Sequence, residues 1–245
     1  MTLVIGIKCR DGIVLAADSA SSDVDIGTKQ PFEKIIRVGT QPLLYGGSGN
    51  VGLLQKIDEN LKSFIVKPTL KRTLQEIKRI VIPEQKEACE FHVPYPEQFF
   101  HKPPEAILLF GCIIEGKPFI IELERNGSDT VYGDNLGNFA AIGSGKPWAQ
   151  AIFRPHLRTD RDLNLGKIFA YRILEDSINL AASFLSMPIH MFTMSLDGAV
   201  TKVIGEDLKE LSATCEVWRS LERDAVGKLL APKGEEEAEP DIPKP

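Results

Sequence analysis

Leu3–Lys8 and Ile13–Ala17 are short apolar runs parted only by the turn Arg10-Asp11-Gly12, and the pattern returns along the chain. Ala106–Ile114 and Phe119–Glu124 flank Glu115-Gly116-Lys117, Asn126-Gly127 turns into Thr130–Tyr132, and Ile189–Ser195 and Ala199–Ile204 flank Asp197-Gly198. Runs joined by so few residues can only pair antiparallel. Lys34–Val38, Pro42–Tyr45 and Phe139–Ile142 are further strand-like runs.

Between these groups the period changes. Val51, Leu54, Ile57, Leu61 and Phe64 follow helical spacing from Asn50. Pro68 restarts a helix with Leu70, Leu74, Ile77, Ile80 and Val81 on its apolar side, and Pro83 is expected to stop it. Pro147 opens a helix after "AIGSGKPW", Leu165–Leu185 is a long helical pattern, and a helix of mixed charge spans Glu206–Leu230. Helices arriving in blocks, not singly between strands, argue against a doubly wound parallel sheet. Two antiparallel sheets packed face to face with helices outside both would use every apolar face. The expected fold is therefore an α+β, four-layer αββα sandwich, one domain over 1–230.

Two segments escape this pattern. Residues 84–104, "EQKEACEFHVPYPEQFFHKPP", have no clear period and read as an inserted loop. Its Phe91, Tyr95, Phe99 and Phe100 are too many aromatics for a solvated linker, so packing on a neighbouring subunit or a local flap are both open. Residues 231–245, "APKGEEEAEPDIPKP", read as a disordered acidic, Pro-rich tail. The tail carries five carboxylates and two lysines of a chain whose net charge is −5, which leaves the rest nearly neutral. Nothing here points to nucleic acid. No run of about 18 apolar residues suggests a membrane span, and a cytoplasmic protein is expected. Cys9, Cys89, Cys112 and Cys215 are scattered, and His92, His101, His156 and His190 share no metal spacing. Neither a metal nor an organic cofactor is expected.

The chemistry-bearing candidates lie near the start. Thr2 stands directly before an apolar strand. Removal of Met1 would leave a hydroxyl nucleophile and a free α-amine on one residue. An α-amine ionises near about pH 8, so a useful fraction is neutral and able to take the hydroxyl proton. Asp18 follows sixteen residues later, at the end of Leu15-Ala16-Ala17, where a carboxylate needs a partner. Lys34 follows thirty-two residues after Thr2 and leads Ile35-Ile36. It either snorkels to solvent or turns inward, where it would lower the hydroxyl pKa with Asp18 holding the ammonium in place.

At these residues the chain resembles the proteasome β-subunit family of N-terminal-nucleophile hydrolases, HslV-like peptidases included. The spacings of Asp18 and Lys34 to Thr2 match the family's without a gap, and "DGIVLAADS" resembles its second strand. "YGGSGN" at Tyr45–Asn50 resembles the Gly-rich turn before the first helix. With a one-residue shift, Gly46 falls where a backbone N–H would meet the oxyanion. "AIGSGKPW" resembles the family's GSG turn and gives Ser144 a place beside the nucleophile's amine. Ser22 falls at a small hydroxyl position that aligns the substrate backbone. The resemblance covers about residues 2–204. It departs in "NLAASFLSMPIH", where the family's usual Asp-x-x-Ser-Gly has no counterpart aspartate and Ser183 and Ser186 read as helix-face serines.

The resemblance implies a threonine-type endopeptidase acting on protein and peptide substrates through an acyl ester on Thr2. It implies a self-compartmentalising ring of this chain or related subunits, with an ATP-driven unfoldase as a candidate partner. Two alternatives share the fold. One is a non-catalytic structural or assembly subunit. The other is an N-terminal-nucleophile amidase or acyl transferase with a dedicated substrate.

Overall fold

The computed structural model describes residues 2–22, 29–31, 33–92, 104–133, 137–156 and 161–230. It is a four-layer αββα sandwich of two five-stranded antiparallel sheets between helices. The first sheet has the order β10-β1-β2-β11-β12, from β1 (Val4–Cys9), β2 (Gly12–Ala17), β10 (Phe139–Ile142), β11 (His190–Ser195) and β12 (Val200–Val203). The second has the order β5-β6-β7-β8-β9, from β5 (Ile35–Arg37), β6 (Leu43–Gly49), β7 (Ala106–Ile114), β8 (Lys117–Leu123) and β9 (Asp129–Tyr132). A two-stranded ribbon of β3 (Ala20–Ser22) and β4 (Lys29–Pro31) projects beyond β2, and no sequence pattern announced it.

Three apolar layers hold the stack. Leu15, Ile35, Leu109, Ile120 and Phe192 fill the space between the sheets. On the first sheet's outer face, Ile5, Ile7 and Met191 meet α3 (Lys146–Phe153), α4 (Leu163–Leu180) and α5 (Glu206–Leu230) through Phe153, Phe169, Leu174 and Cys215. On the second sheet's outer face, Tyr45, Phe110 and Leu123 meet α1 (Val51–Leu61) and α2 (Leu70–His92) through Leu53, Ile57, Ile77 and Val81. Strands buried on both faces are apolar throughout, as β2 is at every position. Asn50 caps α1, its side chain accepting from the Leu53 N–H at 3.0 Å. Phe64 lies beyond that helix yet stays in the same core.

Pro83 does not stop α2. The helix runs through it to His92, so 84–92 is helical and only the rest of the expected loop lies outside this element. An interior proline forfeits a hydrogen bond and costs about 3 kcal/mol. The far half offsets this with its own anchors. Buried Gln85 donates to the Ala106 carbonyl at 3.2 Å, Ala88 packs on the core, and Glu84 accepts from Asn60 at 2.8 Å. The aromatics Tyr95, Phe99 and Phe100, the side chain of Phe91 and the tail 231–245 lie outside the described residues. The fourth helix ends at Leu180, earlier than its periodicity suggests, so Ser183 and Ser186 occupy turn and loop and not a helix face.

Candidate active site

The turn at Asp11 fixes the register of β1 on β2, with Val4 opposite Ala17. That register alone brings the residues before β1 against those after β2. The Asp18 N–H donates to the Leu3 carbonyl at 3.2 Å, and the Leu3 N–H donates to Asp18 Oδ1 at 2.8 Å. The other carboxylate oxygen, Oδ2, accepts from the Ala20 N–H at 2.9 Å. Asp18 is fully buried, and the two backbone donors tether both its oxygens beside Thr2.

Lys34 enters from the second sheet. Its Nζ donates to Asp18 Oδ1 at 2.6 Å, and its side chain is only 4% exposed. Of the two readings open for this lysine, the inward one holds. Burial lowers its pKa below the ordinary 10.5, while the Asp18 charge and hydrogen bond oppose the drop.

The third component arrives from β10. Ser144 Oγ accepts from Thr2 N at 3.2 Å, and the Gly145 N–H donates to the Thr2 carbonyl at 3.2 Å. The approach is close enough to require the flanking glycines. A Cβ on Gly143, which has φ of +89°, would fall 2.2 Å from the Thr2 carbonyl oxygen, and one on Gly145 would fall 2.7 Å from Leu3 Cβ. Behind this turn Lys146 donates to Glu122 Oε1 at 2.8 Å, and Glu122, itself buried, also accepts from Tyr132 OH at 2.6 Å.

The Gly-rich strand places its amides differently from expectation. Gly46 pairs with Ile35 on one side and Leu109 on the other. Antiparallel residues point their N–H alternately to one neighbour and the other. Pro42 and Asn50 both bond towards β7, through Ile113 N–H to Pro42 O at 3.2 Å and Asn50 N–H to Glu105 O at 2.8 Å. Leu43 bonds the other way, accepting from the Val38 N–H at 3.0 Å. By this alternation Gly46 faces Leu109, inside the ladder. Gly47 faces the β5 side, one residue past the Ile35–Gly46 pair and towards Lys34. By the same alternation the amides of Gly47 and Gly49, and not that of Gly46, face the side from which Lys34 enters, because the direction of each amide depends on register with β7.

Ser22 closes β3 opposite Lys29, so it lies on the ribbon that extends from Asp18; its side chain is outside the described residues. Ser186 meets this region through its carbonyl, which accepts from Ser19 N–H at 3.1 Å and Ser19 Oγ at 3.2 Å. His190 is a paired strand residue, opposite Ala17, and burial lowers its pKa. Among the described residues no group of three or more His, Cys, Asp or Glu is placed to hold a metal, and no helix is long and apolar enough to cross a membrane.

A hydroxyl-bearing residue, a buried ammonium, a fixed carboxylate and a serine against the residue's nitrogen form a constellation suited to nucleophilic acyl chemistry. Comparisons with known proteins agree on the family. A family model described as Proteasome subunit matches residues 2–184. The proteasome subunit beta of Nanoarchaeum equitans is 29% identical over 202 residues, which cover 81% of this chain and 95% of that protein. That of Methanococcus aeolicus is 24% identical over 229 residues, covering 86% and 91%. Among solved structures, the helical assembly of the Anbu complex from Pseudomonas aeruginosa superposes with a TM-score of 0.74 at 17% identity, covering 95% of this chain and 98% of that one. The Anbu (Gly-1) mutant from Hyphomicrobium sp. strain MC1 gives 0.72 at 19%, covering 97% and 100%. At these identities the structures speak to fold alone.

Proposed function

The chain belongs to the proteasome subunit family, and we propose that it is a threonine-type endopeptidase working through Thr2 once Met1 is removed. The observation that carries this reading is the sharing of Asp18 Oδ1 between the Leu3 N–H and Lys34 Nζ, which holds an ammonium at the nucleophile's own backbone.

In this reading Thr2 Oγ attacks the peptide carbonyl and its proton passes to the α-amine, directly or through one water. Lys34 lowers the hydroxyl pKa, and Asp18 positions Lys34 and offsets its burial. Ser144 orients the amine. The Gly47 N–H, not that of Gly46, stabilises the tetrahedral oxyanion, a contribution typically worth about 10²–10³ in rate. Collapse expels the amine product with the proton from the ammonium and leaves an acyl ester on Thr2. Water then attacks the ester and gives its proton to the α-amine, which passes it on to Thr2 Oγ as the acid leaves and the free amine and hydroxyl are restored. Ser22 and the β3–β4 ribbon align the substrate backbone.

An unguarded protease of this kind needs enclosure. The solved Anbu complex is a helical assembly, and self-assembly of this chain through a heterologous contact, with Thr2 facing an interior, is part of the same proposal. The cytoplasm is the proposed compartment.

Intact mass with and without a threonine-directed epoxyketone peptide tests the chemistry. The expected result is loss of Met1 and one stoichiometric adduct on Thr2. Native protein retaining Met1, or remaining unlabelled with a free Thr2, would overturn the reading. Native mass spectrometry at micromolar concentration tests the assembly, which a monomer would contradict.

A further inference from the structure

Glu122 is out of place in its strand. Residues of β8 alternate between two apolar faces: Ile120 belongs to the layer between the sheets, and Ile121 and Leu123 to the layer under α1 and α2. Glu122 shares a face with Ile120, so its carboxylate enters the layer between the sheets, and its side chain is only 5% exposed. A carboxylate there stays charged only if it is paired. Its partners are Tyr132 OH from the next strand, at 2.6 Å, and Lys146 Nζ, at 2.8 Å. Burial first, and then the Glu122 hydrogen bond and charge, raise the Tyr132 pKa, so the phenol stays a donor. An apolar side chain of similar size would fill the place with no charge to desolvate, so packing does not account for the pair.

Lys146 is out of place as well. It is the first residue of α3, at the positive end of the helix dipole, where a cation is disfavoured. The first turn holds no acidic residue, and Gly145 gives the helix no side-chain cap. What the two residues share is the turn between them. Ser144, two residues before Lys146, is exposed, and among the described residues its Oγ bonds to Thr2 alone, accepting from N at 3.2 Å and reaching the carbonyl at 3.5 Å. No other side chain orients it, so its place is set by the turn. That turn is closed by the Lys146 N–H donating to the Gly143 carbonyl at 3.1 Å, and its side-chain tie to the second sheet is Lys146 on Glu122. Lys34 leads β5 of the same sheet. One frame therefore holds both the ammonium on Asp18 and the turn against the Thr2 nitrogen.

We propose that Glu122 is a positioning residue for the α-amine, acting through Lys146 on the Ser144 turn. The assignment rests on the peptidase reading above and adds how its proton carrier is aimed. One N–H held on Ser144 Oγ fixes the direction of the lone pair with which the neutral amine takes the Thr2 hydroxyl proton. No bond forms or breaks on Glu122 or Lys146. With their pair broken the turn drifts and the amine rotates, so proton transfer slows, while the ribbon that aligns substrate is untouched.

The test is steady-state peptide hydrolysis by the full chain in its native assembly. Lys146→Met and Glu122→Gln should each lower kcat about fivefold with KM unchanged, and Lys146→Arg, which keeps a cation on Glu122, should recover most of the loss. The acid limb of kcat/KM should move to lower pH in Lys146→Met, because a hydrogen bond accepted by Ser144 Oγ favours the charged amine and is lost. The decisive arm is Ser144→Ala. In that background Lys146→Met should bring no further loss, since the serine through which it acts is gone. An equal loss in both backgrounds overturns the assignment, as does a rise in KM at constant kcat or no change at all. If circular dichroism shows Lys146→Met unfolded, Glu122→Gln carries the same comparison. Each of these results leaves the peptidase reading standing. Absence of hydrolysis by wild-type protein with a free Thr2 overturns both.

Discussion

Two ion pairs with buried carboxylates hold the segments around Thr2, and they are built differently. Asp18–Lys34 joins the two sheets at 2.6 Å, with the carboxylate fully buried and the lysine side chain 4% exposed. Glu122–Lys146 ties β8 to the turn of Ser144 at 2.8 Å, with a comparably buried carboxylate but a lysine 33% exposed. Asp18 accepts from two backbone amides besides its lysine, and Glu122 accepts from one phenol. Burial lowers the Lys34 pKa, so that lysine is held as a cation against its surroundings. Lys146 reaches water and needs no such support. The difference separates a pair suited to chemistry from one suited to holding a turn in place.

The largest expected effect breaks the first pair at its cation. Lys34→Ala should lower turnover by about 10³-fold or more, since the nucleophile loses the charge that depresses its pKa. Lys34→Arg should also be poor, because a planar fork cannot replace a compact ammonium in a closed site. Steady-state peptide hydrolysis, with circular dichroism to verify the fold, measures both. Near-normal hydrolysis in Lys34→Ala would remove Lys34 from the mechanism.

Next comes pH. The reading needs Lys34 charged, so kcat/KM should fall as pH rises through its lowered pKa, earlier than the ordinary 10.5. Asp18 supplies the two influences that raise this pKa, so Asp18→Asn should move the alkaline limb to still lower pH. The stability sign is separate. Between the lowered pKa and 10.5 the unfolded chain binds more protons at this lysine, so its contribution to stability rises with pH through that window. An alkaline limb unmoved in Asp18→Asn would break the coupling.

How much of this contrast could be read from sequence follows from where each pair gets its geometry. Asp18 is local to one hairpin: Asp11-Gly12 sets the register, and the register sets Leu3 against Asp18. Lys34 and Ser144 were legible through matched spacing and the GSG turn, and the sandwich through paired strands and blocked helices. The direction of the Gly46 amide was not, because it depends on which neighbour each amide faces, and strand order is a tertiary fact. Pro83 reads as a stop because anchors such as Gln85 to Ala106 are long-range. Asp58 stands on the apolar side of its helix, four residues after Leu54 and seven after Val51, and only the structure shows that the Tyr45 hydroxyl is its partner. Glu122 did leave a trace: a carboxylate between Ile121 and Leu123 in an otherwise apolar strand is a residue in need of a partner.

Stability should separate the pairs next. Asp18→Ala strands a fully buried ammonium and two backbone donors, and should cost about 3–5 kcal/mol by urea unfolding. Glu122→Ala leaves Lys146 able to turn to water and strands one phenol, and should cost about 1–3 kcal/mol. Equal losses would mean that exposure of the cation does not matter here.

The smallest effect, and the sharpest on the comparison, comes from removing each cation without removing volume. Lys34→Met leaves the Asp18 charge buried on two amides, with no water to replace the ammonium. Its options are to take up a proton or to draw the strands apart, and either should cost about 3 kcal/mol. Lys146→Met leaves Glu122 on the Tyr132 hydroxyl beside a third-exposed position that water can enter. Its cost should be about 1 kcal/mol or less. The kinetic consequences should diverge further. Lys146 stands two residues from Ser144 and makes no hydrogen bond to Thr2, so its loss should loosen the Ser144 turn and lower kcat a few-fold with KM unchanged. Urea unfolding and peptide kinetics on both variants decide the matter. If Lys146→Met lowers kcat as severely as Lys34→Met, the second pair acts on the reacting atoms and the division between the two pairs fails.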